Sequence, residues 1–205
     1  MAAKRGSKRP GGGPHRREQP GQPRGRRSAL EIRRRGSENA YELVHPRCAQ
    51  ERLDDLEEVR QMKDAGELEI ATDELRWLLN GCSDFVAAHR LLGELAMEQR
   101  DIKLARAHFG YAYDIGLSAL PPAGLPGPLP YRVPANQAFL EAAKGLAWCL
   151  HELEQHEQAL SVLDQLLSCD PSDPLGVRTW RQTWQPPPGE GEGGRKAEGR
   201  RQKAE

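Results

Sequence analysis

Apolar residues recur through the middle of this chain with the period of a helix, not a strand. Leu68, Ala71, Leu75, Leu78 and Leu79 fall on one helical face, as do Ala105, Phe109, Ala112 and Tyr113. Leu160, Leu163, Leu166 and Leu167 repeat the pattern further on. The later stretches superpose: with Leu92 on Leu146, Gly93 meets Ala147, Ala105 meets Ala159, Phe109 meets Leu163, Ala112 meets Leu166 and Leu117 meets Pro171. Small and large apolar residues thus return at fixed places in a unit of about 34 residues, the length of a paired-helix repeat. Small residues at Gly93, Ala105, Ala147 and Ala159 let two helices approach closely. One hairpin buries only one face, so neighbours must stack to complete a core. The expected fold class is all-α: a short α-solenoid of about three helical hairpins, flanked by disordered N- and C-terminal tails.

Breaker residues divide the pattern. Gly81 follows Leu79 and Asn80 as a helix stop, and Ser83 or Asp84 is placed to cap the next helix. The stretch Leu120–Pro134, LPPAGLPGPLPYRVP, carries six prolines, with Gly124 and Gly127 among them, and excludes a regular helix. It reads as an insertion between repeats, semi-rigid and extended. Pro134 suits the first turn of the helix that follows. Asp170 to Pro174 ends the last hairpin, and Leu175 to Trp184 is expected to pack as a terminal cap. The domain boundaries are a basic tail over 1–37, a repeat domain over 38–180 with units at about 52–85, 86–119 and 140–173 and the insert at 120–134, and a second tail over 181–205.

Small and large packing positions at these spacings, closing on a proline, resemble the tetratricopeptide repeat. The unit at 86–119 supplies Leu92, Gly93, Ala105, Phe109 and Ala112 of that motif, with His89 and Ala96 at its two bulky positions. The unit at 140–173 supplies Leu146, Ala147, Ala159, Leu163 and Pro171, with Leu150 in the aromatic place. The unit at 52–85 keeps Met62, Gly66, Ala71 and Leu75 but has Asp55 and Glu58 where apolar residues belong, so its first helix is expected to be shifted in register. The resemblance implies that the first helix of each unit lines a groove. Carried over by position, the groove offers Leu53, Leu56, Arg60, Lys63 and Asp64, then Ala87, Arg90, Glu94, Met97 and Glu98, then Glu141, Lys144, Trp148, His151 and Glu152. Family members that grip a chaperone's C-terminal carboxylate use asparagines there, and none stands at a groove position here. The expected binding residues are Arg60, Lys63, Arg90, Glu94, Met97, Lys144, Trp148 and His151, with Trp148 as an aromatic anchor for an extended or helical peptide.

Charge adds a second picture. Lys and Arg balance Asp and Glu over the whole chain, but residues 1–37 hold twelve basic residues against two acids, whereas residues 38–180 hold twelve against twenty-four. The tail lacks the apolar residues that offset ordering entropy and is expected to be disordered. Its arginines, Arg24, Arg26 and Arg27 and then Arg33, Arg34 and Arg35, suit weak, salt-dependent binding to a polyanion such as nucleic acid. No apolar anchor accompanies them, so a membrane surface is not expected. No apolar leader or membrane-length run is present, which makes the cytoplasm the default compartment.

Catalytic chemistry is not visible. Cys48, Cys82, Cys149 and Cys169 stand singly, without a CxxC pair, and read as thiols of a reducing compartment, not zinc ligands. His45 with Cys48 and Cys149 with His151 have no second pair to complete a metal site. His89 and His108 read as packing residues. Phosphate-loop, HExxH and GxSxG motifs are absent, and Gly189 to Gly194 lie in a linker-like tail. The expectation is a non-enzymatic protein-interaction module, without cofactor or metal, that binds a peptide or partner protein. The alternative is a nucleic-acid-associated protein that works through its basic arm.

Overall fold

The structure, a computed structural model, describes residues 30–36 and 38–184. Three helical hairpins form its body: α2 (Leu53–Asp64) with α3 (Leu68–Gly81), α4 (Val86–Glu98) with α5 (Ile102–Ala119), and α6 (Pro134–Glu152) with α7 (His156–Cys169). Before them come an antiparallel pair, β1 (Glu31–Arg34) and β2 (Tyr41–Val44), and a single turn, α1 (Arg47–Gln50). After them comes α8 (Val177–Thr183), packed on α7 as the expected cap. The class is all-α with a small β appendage. That appendage corrects the boundary at residue 37: residues 31–34, assigned by composition to the tail, are paired from Glu31↔Val44 to Arg34↔Tyr41. The physical reason is the partner strand. Leu43 is buried in the larger core with Ile32 packed against it, while Arg33 on β1 pairs with Glu42.

The three hairpins share one turn. Gly66, Arg100 and Glu154 all have left-handed backbone, with φ of 82°, 61° and 59°. Around each, two backbone N–H groups turn back onto the end of the preceding helix: Gly66 and Glu67 onto Lys63 and Met62, Arg100 and Asp101 onto Met97 and Ala96, and Glu154 and Gln155 onto His151 and Leu150. This closure satisfies carbonyls that a helix end leaves open. The turns stand at the same position of all three units, so the first unit is in register and not shifted. Its first helix is polar at Asp55 and Glu58 because α2, at the end of the stack, buries only Leu56 and Val59. The expected cap at Ser83 or Asp84 is also replaced: α4 starts one residue later, with Phe85 at its N-cap position and no side-chain capping bond.

Two cores share α4. The smaller joins Ala49, Leu56, Val59, Ala71, Leu75 and Leu78 to Leu91, Leu92 and Leu95 of α4. Cys48 in α1 and Cys82 after α3 form a disulfide with Cα atoms 5.7 Å apart, which ties α1 to the far end of the first hairpin. This corrects the expectation of four separate thiols; sequence spacing cannot show two cysteines 34 residues apart meeting at a hairpin end. Cys149 and Cys169 are free and buried.

The larger core is centred on Phe109, Phe139, Leu140, Leu163 and Leu166. Phe109 is 2% exposed and lies against two glycines of facing helices. A Cβ at Gly93 would fall 2.6 Å from its ring, and one at Gly145 would fall 2.8 Å away. No side chain fits at either position while that ring is in place.

The proline-rich insert is part of this core. Leu129 is fully buried, and its N–H donates to the Cys169 carbonyl at 2.7 Å. Tyr41 N–H donates to the Pro128 carbonyl at 2.8 Å, and Tyr131 N–H to the Asp170 carboxylate at 2.8 Å. Buried Asn136 in α6 accepts from Leu43 N–H and donates to the carbonyls of Tyr41 and Pro130. The insert therefore clasps β2 to the ends of α6 and α7. Extended backbone crosses the interior here because its polar groups are met one by one.

Candidate functional site

The first helices of the three units, α2, α4 and α6, carry a ladder of charge. Lys63 on α2 reaches Glu94 and Glu98 on α4, at 3.1 and 3.2 Å. Burial alone would lower its pKa, but the bonds and charges of those two glutamates outweigh it and hold Lys63 above the usual lysine value. Arg90 pairs with Glu94 one turn along α4 and with Glu141 on α6 at 3.1 Å. Tyr131 O–H donates to Glu141 at 2.6 Å; that bond, then burial, raises the tyrosine's pKa. Arg90 Nε is buried and makes no hydrogen bond. The helical period places these side chains on one face, and stacking of the hairpins brings them into line. These pairs are half-buried, where desolvation offsets much of the attraction between charges, so their main effect is to fix the position of each charge.

The two ends of this face differ. At the third unit the chain covers its own residues. Lys144 donates to the Leu175 carbonyl at 2.8 Å and lies 5.1 Å from the Trp180 ring centroid. His151 stacks on Trp184 with ring centroids 4.0 Å apart. Trp148 is half-buried and packs, like Met97, against the larger core. Three expected groove residues, Lys144, Trp148 and His151, are thus engaged by packing and by the C-terminal cap. The cap has this effect because α8 follows α7 as another first helix would.

At the other end a cavity of about 420 Å³ stays open. Leu53, Leu56 and Arg60 of α2, Ala87 and Arg90 of α4, and Glu141 of α6 line it, all at groove positions expected from the repeat. Its remaining wall comes from the segment running from β2 through His45 into α1, with Arg33 of β1, and from Phe85 and the start of α6, most of which nothing in the repeat pattern foretells. His45 in that wall donates from Nε2 to the Ala135 carbonyl at 2.7 Å, and burial lowers its pKa. Leu53, 55% exposed, is an uncovered apolar side chain at the cavity. Arg60 pairs within its own helix with Glu57 at 2.7 Å. The lining is mostly apolar with charge at the edge, the composition of a site for an apolar side chain flanked by polar groups.

The basic clusters divide. Arg24, Arg26 and Arg27 lie outside the described residues. Arg33 and Arg35 are not free on an arm: both bond Glu42, at 2.6 and 3.3 Å, across the β pair. Arg34 is exposed on β1. His89 and His108 lie 6.0 Å apart, ring to ring, and Tyr111 packs on His89 at 4.5 Å. Burial lowers both pKa values, that of His89 to about 4, so these rings are neutral packing groups at pH 7. Burial likewise pushes the Cys149 thiol up to about 11. Among the described residues, no group of three or more His, Cys, Asp or Glu side chains is placed to hold a metal ion, and no helix is long and apolar enough to cross a membrane. No protein-family model matches the chain, and no curated protein is similar to it in sequence.

Proposed function

We propose that the chain is a non-enzymatic binding module of the tetratricopeptide-like kind, holding a peptide segment of a partner protein along α2, α4 and α6. The open cavity carries this reading: first helices of all three units line it, and an uncovered leucine stands beside a fixed set of charges. A peptide would seat one apolar side chain there and run its backbone past Arg90 and Glu141, the helix-lined counterpart of pocket-and-groove peptide recognition. The Cys48–Cys82 bond favours an oxidising compartment over the cytoplasm expected from the sequence, since such bonds are rare where thiols are kept reduced. The nucleic-acid reading now rests on clusters before Leu30, and no described feature favours it.

The test is selection from a random peptide library displayed on phage, using the full chain and its Ala87→Trp variant. Ala87 is half-buried at the cavity, so an indole there fills it. The expected result is a set of peptides sharing one large apolar residue, each losing affinity for Ala87→Trp by at least about tenfold, about 1.4 kcal/mol, while helicity is unchanged. Failure to enrich any peptide, or equal binding by both proteins, overturns the assignment.

A further inference from the structure

One wall of the open cavity has a chemistry that its shape does not show. The end of β2 lies there, and two bonds seat it on the first turn of α6. Leu43 N–H donates to Asn136 Oδ1 at 2.9 Å, and two residues further on His45 Nε2 donates to the Ala135 carbonyl at 2.7 Å. A carbonyl oxygen only accepts, so the second bond fixes the imidazole proton on Nε2. Burial lowers the pKa of the ring, which is neutral at pH 7. Nδ1 therefore carries a bare lone pair. Among the described residues nothing donates to it, and it is not sealed from the open space that the ring lines.

The other polar side chains of the lining are already engaged or make no choice. Arg33 pairs with Glu42, Arg60 with Glu57, and Arg90 with Glu94 and Glu141. Gln50 Nε2 donates to the carbonyl of His45 itself at 2.6 Å. Gln137 offers a donor and an acceptor together and so selects for neither. The rest of the lining is apolar. The cavity thus presents a single acceptor that is held in place and left unpaired.

We propose that the partner's peptide anchors here through a tryptophan whose indole N–H donates to His45 Nδ1, an inference that rests on the cavity being a peptide site. Indole is a large apolar ring with one donor and no acceptor, so a single bond leaves nothing of it unpaired. A leucine or phenylalanine pushes water off Nδ1 and gives the lone pair nothing in return, and an acceptor buried without a partner is costly. A tyrosine can donate there too, but its oxygen brings lone pairs of its own that an apolar lining does not meet. Room is not limiting. A cavity of about 150 Å³ takes a benzene ring, and this one, at about 420 Å³, takes a bicyclic ring. Because β2 is seated on α6 by two bonds, the acceptor is in position before the ligand arrives.

The phage-selected peptides supply the test, and the expected set shares a tryptophan at its common apolar position. Isothermal titration of the full chain then compares one such peptide with its 3-benzothienylalanine analogue, in which sulfur replaces the indole N–H at nearly the same size. The wild-type chain is expected to bind the analogue about tenfold more weakly, the scale of one lost bond with its acceptor left unpaired. His45→Gln keeps an amide N–H to reach the Ala135 carbonyl and removes Nδ1. It is expected to bind the two peptides alike, within about twofold, with the helical spectrum unchanged. Selected peptides that share an aliphatic residue, phenylalanine or tyrosine, and that lose affinity for Ala87→Trp, overturn the indole and leave the peptide site standing. Selection of no peptide overturns both. Equal binding of the tryptophan peptide and its analogue by the wild type, or a preference that His45→Gln retains, overturns the bond to His45.

Discussion

The core around α1–α3 and the core around α5–α7 are built from the same hairpin, closed by the same left-handed turn, yet they are held differently. The first has a terminal helix, α2, that contributes two buried side chains and no packed neighbour on its outer side; a disulfide compensates by pinning α1 across its end. The second is flanked by α4, by the clasp of β2 and the insert, and by α8, and it holds together without a covalent bridge, through apolar contact and the buried hydrogen bonds of the clasp. In a stacked repeat, cohesion follows from how many neighbours a unit has. A unit at the open end needs a covalent or capping substitute.

Four substitutions break or sharpen that contrast. The largest effect is expected from Phe109→Ala in the well-flanked core. Gly93 and Gly145 leave no side chain to collapse into the space of the ring, so the cost is about 3–5 kcal/mol, at the upper end for such deletions. Urea unfolding measures it, and a loss of under about 1 kcal/mol would show that the core is not organised around this ring. Next comes Cys82→Ser at the open end. A bridge closing a loop of this length contributes about 2–4 kcal/mol, and its loss should lie where it acts. Amide exchange is expected to quicken in α1, α2 and α3 while α6 and α7 keep their protection. Uniform quickening would mean that the two cores unfold as one. The smallest effect separates turn from surroundings. Arg100→Gly and Glu154→Gly each remove a left-handed side-chain penalty and should raise stability by about 0.5–1 kcal/mol. Similar gains at both turns show that their strain is the same whatever core they close; a gain at only one shows that its neighbours already relieve the strain.

The hairpins were legible because their signal is local. Phe109 with Ala105 and Ala112, or Leu163 with Ala159 and Leu166, fixes a face by spacing alone. A third of the candidate site follows from the same logic, since groove positions such as Arg90 and Glu141 recur with the repeat. What stayed hidden depends on pairing between distant segments. Residues 31–34 are charged enough to pass for tail and become a strand only because Tyr41–Val44 lies beside them. Asn136 looks like an ordinary polar position in a helix, and its role exists only where Leu43, Tyr41 and Pro130 converge on it. Trp148 carried the signature of an exposed aromatic anchor, and the structure packs it against the larger core instead.

The clasp formed by the insert has a consequence for how the molecule comes to exist. In a simple stacked array each unit can form as soon as it leaves the ribosome, and an array cut after any unit keeps most of its structure. Here Tyr41 needs Pro128, and Leu129 in turn needs Cys169, so the beginning of the folded chain waits for nearly all of it to be synthesised. Until then β1 and β2 have only each other, with their outer edges and Leu43 open to solvent through most of translation. Long-range closure of this kind slows folding, and it binds the array into one event. A fragment ending after α5 would therefore lose more than its last hairpin: it would lose the strands at the opposite end, and with them one wall of the peptide cavity.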